Sequence, residues 1–265
     1  MEQTNKLHTF VICAYRESEY LEECIRSLLG QTVQSRILIA TSTPNETIRA
    51  AAEKYSLPLF INDGPSSIAH DWNFAYEKAE TPYLTIAHQD DVYLPGYTEA
   101  ALKAFAKAKR PLIFFSDYSE LREGKAVSKS RSLRIKRLLL LPMRAKVFQK
   151  SRFIRRRCLS LGNPIGCPAV SYAKDNLPNP VFRHGFRSNL DWEAWEMLSK
   201  LDGAFLYTPE SLMLHRVHEG SETSAVIREN VRTGEDFEMF CKFWPKWMAK
   251  FLNRFYSKSE NSNRF

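Results

Sequence analysis

Tyr83-Leu84-Thr85-Ile86-Ala87-His88-Gln89-Asp90-Asp91 is an apolar run that ends in a histidine and two adjacent carboxylates. Leu84, Ile86 and Ala87 have the make-up of a strand buried in a parallel sheet. Sheets of that kind bind ligands just beyond the carboxyl ends of their strands. Asp90 and Asp91 are therefore expected at a cleft rim and not in a core. Two like charges side by side cost stability unless a cation or a donor offsets them. Oxygen ligands with an imidazole beside them suit Mg2+ or Mn2+, often together with substrate phosphates. An acidic surface loop would read the same way in isolation, so the neighbouring elements decide the matter.

On both sides of this run the chain alternates. Strands are expected over residues 8–14, 36–40, 57–61, 83–87 and 112–116. Between them, Ser18 can cap a helix over 19–29 with Leu21, Cys24, Ile25 and Leu28 on one face. Asn45 can cap a helix through Tyr55. The turn Asn62-Asp63-Gly64-Pro65 leads to a helix capped by Ser66 or Ser67 and ending at Lys78. Pro95 fits the first turn of a helix through Ala108. Such alternation with short links predicts an α/β fold with a doubly wound, mainly parallel sheet flanked by helices. After Asp117 the pattern weakens. A basic, helical insertion in two pieces divided near Pro142 is expected first, then a loop over 162–166 and a strand over 167–172. A helix over 191–201 and strands over 204–207 and 212–217 follow. The end, 234–256, reads as an amphipathic helix that Pro245 kinks. There Lys242, Lys246, Lys250, Arg254 and Lys258 recur every four residues beside Phe243, Trp244, Trp247, Phe251 and Phe255.

The chain has 265 residues, 44% of them hydrophobic, enough for one large α/β domain or for a domain with a C-terminal appendage. No apolar run approaches the roughly 20 residues that span a bilayer, and the N-terminus lacks a signal-peptide pattern. A cytoplasmic location follows as an expectation. The five cysteines are scattered with no Cys-x-x-Cys pair, which predicts reduced thiols and neither zinc nor disulfides. Net charge is +8, yet residues 129–157 carry 12 basic side chains and no acid, which leaves the remainder acidic on balance. A one-sided basic stretch implies an anionic partner. No aromatic-interleaved sheet motif or helix-turn-helix appears, so nucleic acid is not expected. An anionic membrane surface fits better, with the aromatic and lysine-rich C-terminal helix beside it. That puts the protein peripherally at the inner membrane face. The same helix also reads as one packed on the domain.

Several further pieces resemble the family-2 glycosyltransferases with the nucleotide-diphospho-sugar transferase (GT-A) fold. Phe10-Val11-Ile12-Cys13-Ala14-Tyr15-Arg16-Glu17, then Tyr20-Leu21, Cys24-Ile25, Ser27-Leu28-Leu29 and Gln31-Thr32, is similar to the opening of these enzymes. Asn73, before Ala75 and Ala79, fits the helix that precedes their acidic motif. His88-Gln89-Asp90-Asp91 lies where they have Asp-x-Asp-Asp, and Asp191-Trp192-Glu193 where their general base is expected. Arg216-Val217-His218-Glu219-Gly220-Ser221-Glu222-Thr223 is similar to a late Arg-x-His-x-x-Ser-x-Thr element. The resemblance implies a catalytic domain over 1–233, with a donor-binding half 1–117 and an acceptor half 118–233. A C-terminal amphipathic helix and tail over 234–265 would follow it.

What the resemblance implies for function is an inverting, metal-dependent transfer of a sugar from a nucleotide donor, a UDP-sugar first of all. The acceptor would be a hydroxyl of a surface glycan or a lipid-linked acceptor. A pyrophosphate leaving group gains charge as the glycosidic bond breaks, and Mn2+ or Mg2+ on Asp90 would neutralise it. His218 is the second expected ligand, unless it is a surface-loop histidine. His88 is either a third or a contact to the donor ribose, and Asp91 orients the site. Asp191 is the expected general base, although it also suits an N-cap; Glu193 is the alternative. Donor contacts are expected from Ala14, Tyr15, Glu17, Asn73, Asp91, Arg216 and Ser221. Where relatives carry Asp-Asp-x-Ser, this chain has Thr41-Ser42-Thr43-Pro44-Asn45, so the hydroxyls of Thr41 and Thr43 take that place. Of Asp71 and Asn73, only Asn73 is expected to touch the donor. Two rivals remain at this stage. A nucleotidyltransferase would normally show a Gly-rich phosphate loop after the first strand, and Ala14-Tyr15-Arg16-Glu17 has none. A membrane-surface module on an inactive fold draws support from His88 standing in place of an acid.

Overall fold

The computed structural model describes residues 5–65, 67–218 and 231–261. Nine strands form one sheet among these residues, in the order β3-β2-β1-β4-β8-β6-β9-β5 with β7 (Lys125–Val127) beside β6. Strands β1 (Asn5–Ala14), β2 (Ser35–Thr41), β3 (Leu59–Ile61) and β4 (Tyr83–His88) are mutually parallel. Strand β8 (Val170–Ala173) runs antiparallel between β4 and the long β6 (Pro111–Arg122). Strand β9 (Ala204–Arg216) returns parallel to β6, and the short β5 (Val92–Tyr93) pairs with its far end.

Alternation along the strands builds two cores, one on each face. Phe10 and Ile12 of β1, with Ile37 and Ile39 of β2, point to one layer; Val11, Leu38 and Ala40 point to the other. The first layer is covered by α1 (Leu21–Leu29), α2 (Glu46–Lys54) and α4 (Tyr97–Ala106). The second is covered by α3 (Ile68–Lys78), α6 (Arg152–Leu159) and α7 (Leu190–Leu198). Asn45 and Ser67 cap α2 and α3 as their side chains suggest, accepting from the backbone N–H of Ile48 and His70. Helix α1 starts later than expected and has no side-chain cap of its own; Ser18 instead accepts from the N–H of Tyr20.

The second half departs further from expectation. The two late strands are one, β9, because pairing with β6 continues on both sides of irregularities near Asp117. The basic insertion holds α5 (Arg131–Leu139), 3-10 turns over Leu141–Arg144 and Lys146–Lys150, and then α6. Its charges are partly matched from elsewhere: Arg137 pairs with Asp117, Arg156 with Glu196 and Arg152 with Asp202. Arg155 is buried under the carbonyls of Ser199, Leu201 and Gly203. The C-terminal helix is two helices, α8 (Val231–Cys241) and α9 (Lys246–Asn261), separated at Pro245. A boundary at residue 233 falls inside α8. Met239, Phe240 and Ala249 join the core cluster of Trp192 and Trp195.

Candidate active site

The carboxyl ends of β1, β2 and β4 meet at one corner of the sheet. Beyond β4 the backbone turns at Gln89, whose amide bridges to β1. It accepts from the N–H of Tyr15 at 3.1 Å and donates to its carbonyl at 2.8 Å. That bridge fixes the loop that carries Asp90 and Asp91. Asp91 is fully buried, and its Oδ1 is held by the N–H of Arg216 at 2.9 Å and by His215 Nδ1 at 3.0 Å. Asp90 is more open and meets His218 Nε2 at 2.9 Å. The Arg216 guanidinium donates to the carbonyl of Asp90 at 2.8 Å and to Glu23 at 2.5 Å, and lies 4.1 Å over the ring of Tyr20. The end of β9 thus closes over the acidic corner.

The charges are mutually adjusted. Burial works against ionising Asp90, but the His218 hydrogen bond and the fields of His88 and His215 outweigh it and hold its carboxyl below the usual range. Burial likewise opposes charging His215, yet Asp91 and Asp90 raise its pKa. One ligand atom from each of His88, Asp90 and Asp91 lies within 4.8 Å of the others. Two polar atoms of this group, His88 Nε2 and Asp91 Oδ2, are buried without a hydrogen-bond partner. The His88 ring stacks on Trp72 at 5.4 Å.

Asp191 lies in the first turn of α7, not before it; Asn189 is the residue ahead of the helix. Its carboxylate accepts from the Asn163 amide at 2.7 Å and from the N–H of Trp192 at 2.7 Å. Burial first, then the charge of Asp191 and others, pushes the Cys167 thiol well up. Lys136 of α5 donates to the Tyr118 hydroxyl at 2.8 Å. Burial opposes its charge, but Tyr118, Tyr256 and Asp191 raise its pKa. Glu193 faces elsewhere, paired at 2.6 Å with Lys242, just past α8, beside a cavity lined by Phe186, Phe237 and Cys241.

On the donor side, Ala14 is buried and Tyr15 and Glu17 are exposed at the end of β1. Arg16 takes a positive φ of 55°, and its N–H reaches the Thr43 hydroxyl at 2.5 Å. The buried Thr41 accepts from the N–H of Thr43 at 3.0 Å. Asn73 does not open to this space: both ends of its amide are engaged by the backbone of Phe182, at 2.7 and 3.0 Å. Asp71, which sequence reading passed over, instead reaches Ser42 and Asn62, each at 2.9 Å, at the ends of β2 and β3. It supplies an acid where Thr41-Ser42-Thr43 lacks one. His215 and Lys136 were also missed as site residues; His215 adjoins Arg216, and Lys136 was one cation of the basic stretch. Ser221, with residues 219–230, lies outside the described residues.

A sheet of this order with an acidic corner at its parallel strand ends defines a GT-A glycosyltransferase, and the comparisons agree. The family model described as Glycosyl transferase family 2 matches residues 9–170, more than half of the chain, and the chain belongs to that family. No curated protein matches it by sequence. Among solved structures it is similar to the mannosyltransferase PcManGT from Pyrobaculum calidifontis in complex with GDP-Man and Mn2+. The TM-score is 0.63 and the identity 13%, over 96% of this chain and 73% of that one. It is also similar to S. aureus TarS 1–349 in complex with UDP-GlcNAc, with TM-score 0.58 and 13% identity, over 93% and 70% of the two chains. A third is glucosyl-3-phosphoglycerate synthase from Mycobacterium tuberculosis in complex with Mn2+, UDP and glucosyl-3-phosphoglycerate. There the TM-score is 0.59 and the identity 12%, over 90% and 80%. At such identities the likeness is one of fold; the family match makes the chain a glycosyltransferase.

Proposed function

We propose that the chain transfers a sugar from a UDP-sugar to a hydroxyl of a surface glycan, free or carried on a lipid at an anionic membrane face, with inversion at the anomeric carbon. The observation that carries this reading is the corner of His88, Asp90 and Asp91 at the end of β4, with two buried polar atoms that no protein group satisfies. A divalent ion fits that set. One imidazole and two carboxylates suit Mn2+ more closely than Mg2+, which prefers oxygen and water. His218, already on Asp90, would be the fourth donor. When bound, the ion offsets the charge that grows on the departing diphosphate. Complexes of two relatives of similar fold contain Mn2+ with a nucleotide or nucleotide sugar, which supports the same assignment.

The chain's own groups do the rest. Asp191, oriented by Asn163 and the N–H of Trp192, takes the proton of the acceptor hydroxyl as its oxygen attacks the anomeric carbon. Attack from the side opposite the diphosphate inverts the configuration. Arg216, held by Glu23 and the ring of Tyr20, meets the diphosphate with a fixed positive charge. Tyr15, Glu17, Thr43 and Asp71 border the place for the nucleoside. The test is turnover of a panel of nucleotide sugars with Mn2+ and with EDTA, and the anomeric configuration of the product by NMR. UDP-sugar turnover that EDTA stops and an inverted product are expected. Turnover indifferent to EDTA, or a retained configuration, contradicts the reading.

A further inference from the structure

Exposed apolar side chains are concentrated in two segments of this protein. Of the thirteen large hydrophobic residues that stand exposed among the described ones, ten fall within 135–161 and 247–255. Leu138 is 68% exposed, Val147 73% and Phe153 69%; in α9, Trp247, Phe251 and Phe255 are 70%, 61% and 58% exposed. These last three recur every four residues and so share one helix face. Such a concentration marks an interaction surface, whereas single exposed apolar residues do not.

The insertion cannot turn these side chains inward, because each piece is anchored by another residue. Leu133, Leu140, Met143 and Leu159 are buried beneath it. Gln149 ties the turns together, donating to the carbonyls of Met143 and Tyr207, each at 2.9 Å. The two segments adjoin: the Arg157 guanidinium lies over both Phe153, at 5.7 Å, and Trp244 just ahead of α9, at 4.8 Å. Between the apolar residues stand exposed Arg131, Arg134, Arg144, Lys146 and Lys150, with Lys250 and Arg254 on α9. Neither 129–157 nor 246–256 contains an acid.

We infer that this combined face docks on an anionic lipid bilayer, with the apolar side chains entering the headgroup layer and the cations above it. A second copy of the chain does not suit the face, since a two-fold contact would set its cations against one another. Exposed aliphatics such as Leu138 and Val147 have no use on a nucleic acid, but they suit the acyl boundary of a membrane. The inference differs from a count of basic residues. Arg155 and Arg156 belong to the interior and to Glu196, and the outer face is set by apolar residues. It also gives the acceptor a route if the proposed function holds. Helix α5 turns Leu138 outward while its Lys136 reaches Tyr118, so one helix joins the docked face to that hydroxyl.

Co-sedimentation with phosphatidylcholine vesicles, and with the same vesicles containing phosphatidylglycerol, tests this without any turnover, so its failure would leave the transfer reading intact. The full chain should bind the anionic vesicles preferentially, and less as salt rises. A triple variant Leu138→Ser, Val147→Ser, Phe153→Ser should lose tenfold or more in vesicle affinity. A second, Arg131→Ala, Arg134→Ala, Lys146→Ala, should bind anionic vesicles about a hundredfold more weakly. All six side chains are exposed, and circular dichroism should report unchanged folds. No anionic preference, or binding untouched by both variants, overturns the proposal. So does a dimer seen by analytical ultracentrifugation that the serine variant abolishes, since the occupant would then be a second copy.

Discussion

Asp191 and Glu193 are two residues apart on one helix, hence about 200° apart around its axis, and their surroundings are opposite. Asp191 is held by Asn163, while Glu193 is paired with Lys242 just past α8. Asp191→Asn should leave UDP binding intact and lower turnover roughly 10²–10⁴-fold, while Glu193→Gln keeps most of the turnover; steady-state kinetics with matched calorimetry checks both. The reverse outcome would exchange the two roles. His8 gives a different residue-scale expectation. It is buried between Ser35 and Thr85, at 2.9 and 3.0 Å, and burial lowers its pKa from 6.5 to about 3. Between those values the unfolded chain binds a proton that the folded one refuses. Stability is therefore full above 6.5 and falls with acid, by about 1.4 kcal/mol per pH unit from this group. His215, with its raised pKa, acts in the opposite sense. Urea unfolding over this range should show a flatter acid slope for His8→Gln than for the parent; equal slopes would contradict the assignment. At this scale the acidic corner was legible because His88, Asp90 and Asp91 are neighbours in the chain. The roles of Asn73 and Asp71 were not, because the partners that separate them, Phe182 and Ser42, are distant in sequence.

Elements were legible where one local rule sufficed. The apolar runs of β1, β2 and β4 and the caps at Asn45 and Ser67 needed no tertiary knowledge. The extent of β6 and the unity of β9 did, since those two strands stabilise one another. The basic insertion shows the same limit more sharply. By composition Arg155 is one cation among twelve; in the fold it caps the end of α7 through three carbonyls and stacks over Phe205 at 4.9 Å. The turn it serves has no room for a side chain at Gly203, where φ is 132° and a Cβ would meet the carbonyl of Arg110 at 2.7 Å. Removing the guanidinium leaves those carbonyls unpaired, so Arg155→Met should cost on the order of 3 kcal/mol. Arg152→Met, which breaks only the exposed pair with Asp202, should cost less than about 1 kcal/mol. Chemical denaturation compares the two, and equal losses would return Arg155 to the surface.

The whole molecule joins two functions of position. The parallel half of the sheet brings β1, β2 and β4 to one corner and leaves their carboxyl ends to bind a charged donor. The mixed half carries α7, the insertion and the C-terminal helices, where the proposed function puts the acceptor. No helix of the described residues is long and apolar enough to cross a membrane. The fold class was readable from alternation in the first half. The closure of β9 over the corner was readable only through the resemblance of its Arg216 to His218 stretch to a late motif, because nothing local ties residue 216 to residue 91.

The central claim is that the corner of His88, Asp90 and Asp91 holds a divalent ion against the donor diphosphate. Calorimetric titration of UDP in Mn2+ and in EDTA, on the parent chain and on Asp90→Ala, tests it most directly. UDP should bind the parent more tightly with Mn2+, and Asp90→Ala should lose that increment while unfolding at a similar temperature. An equal increment in Asp90→Ala, or none in the parent, would contradict the claim.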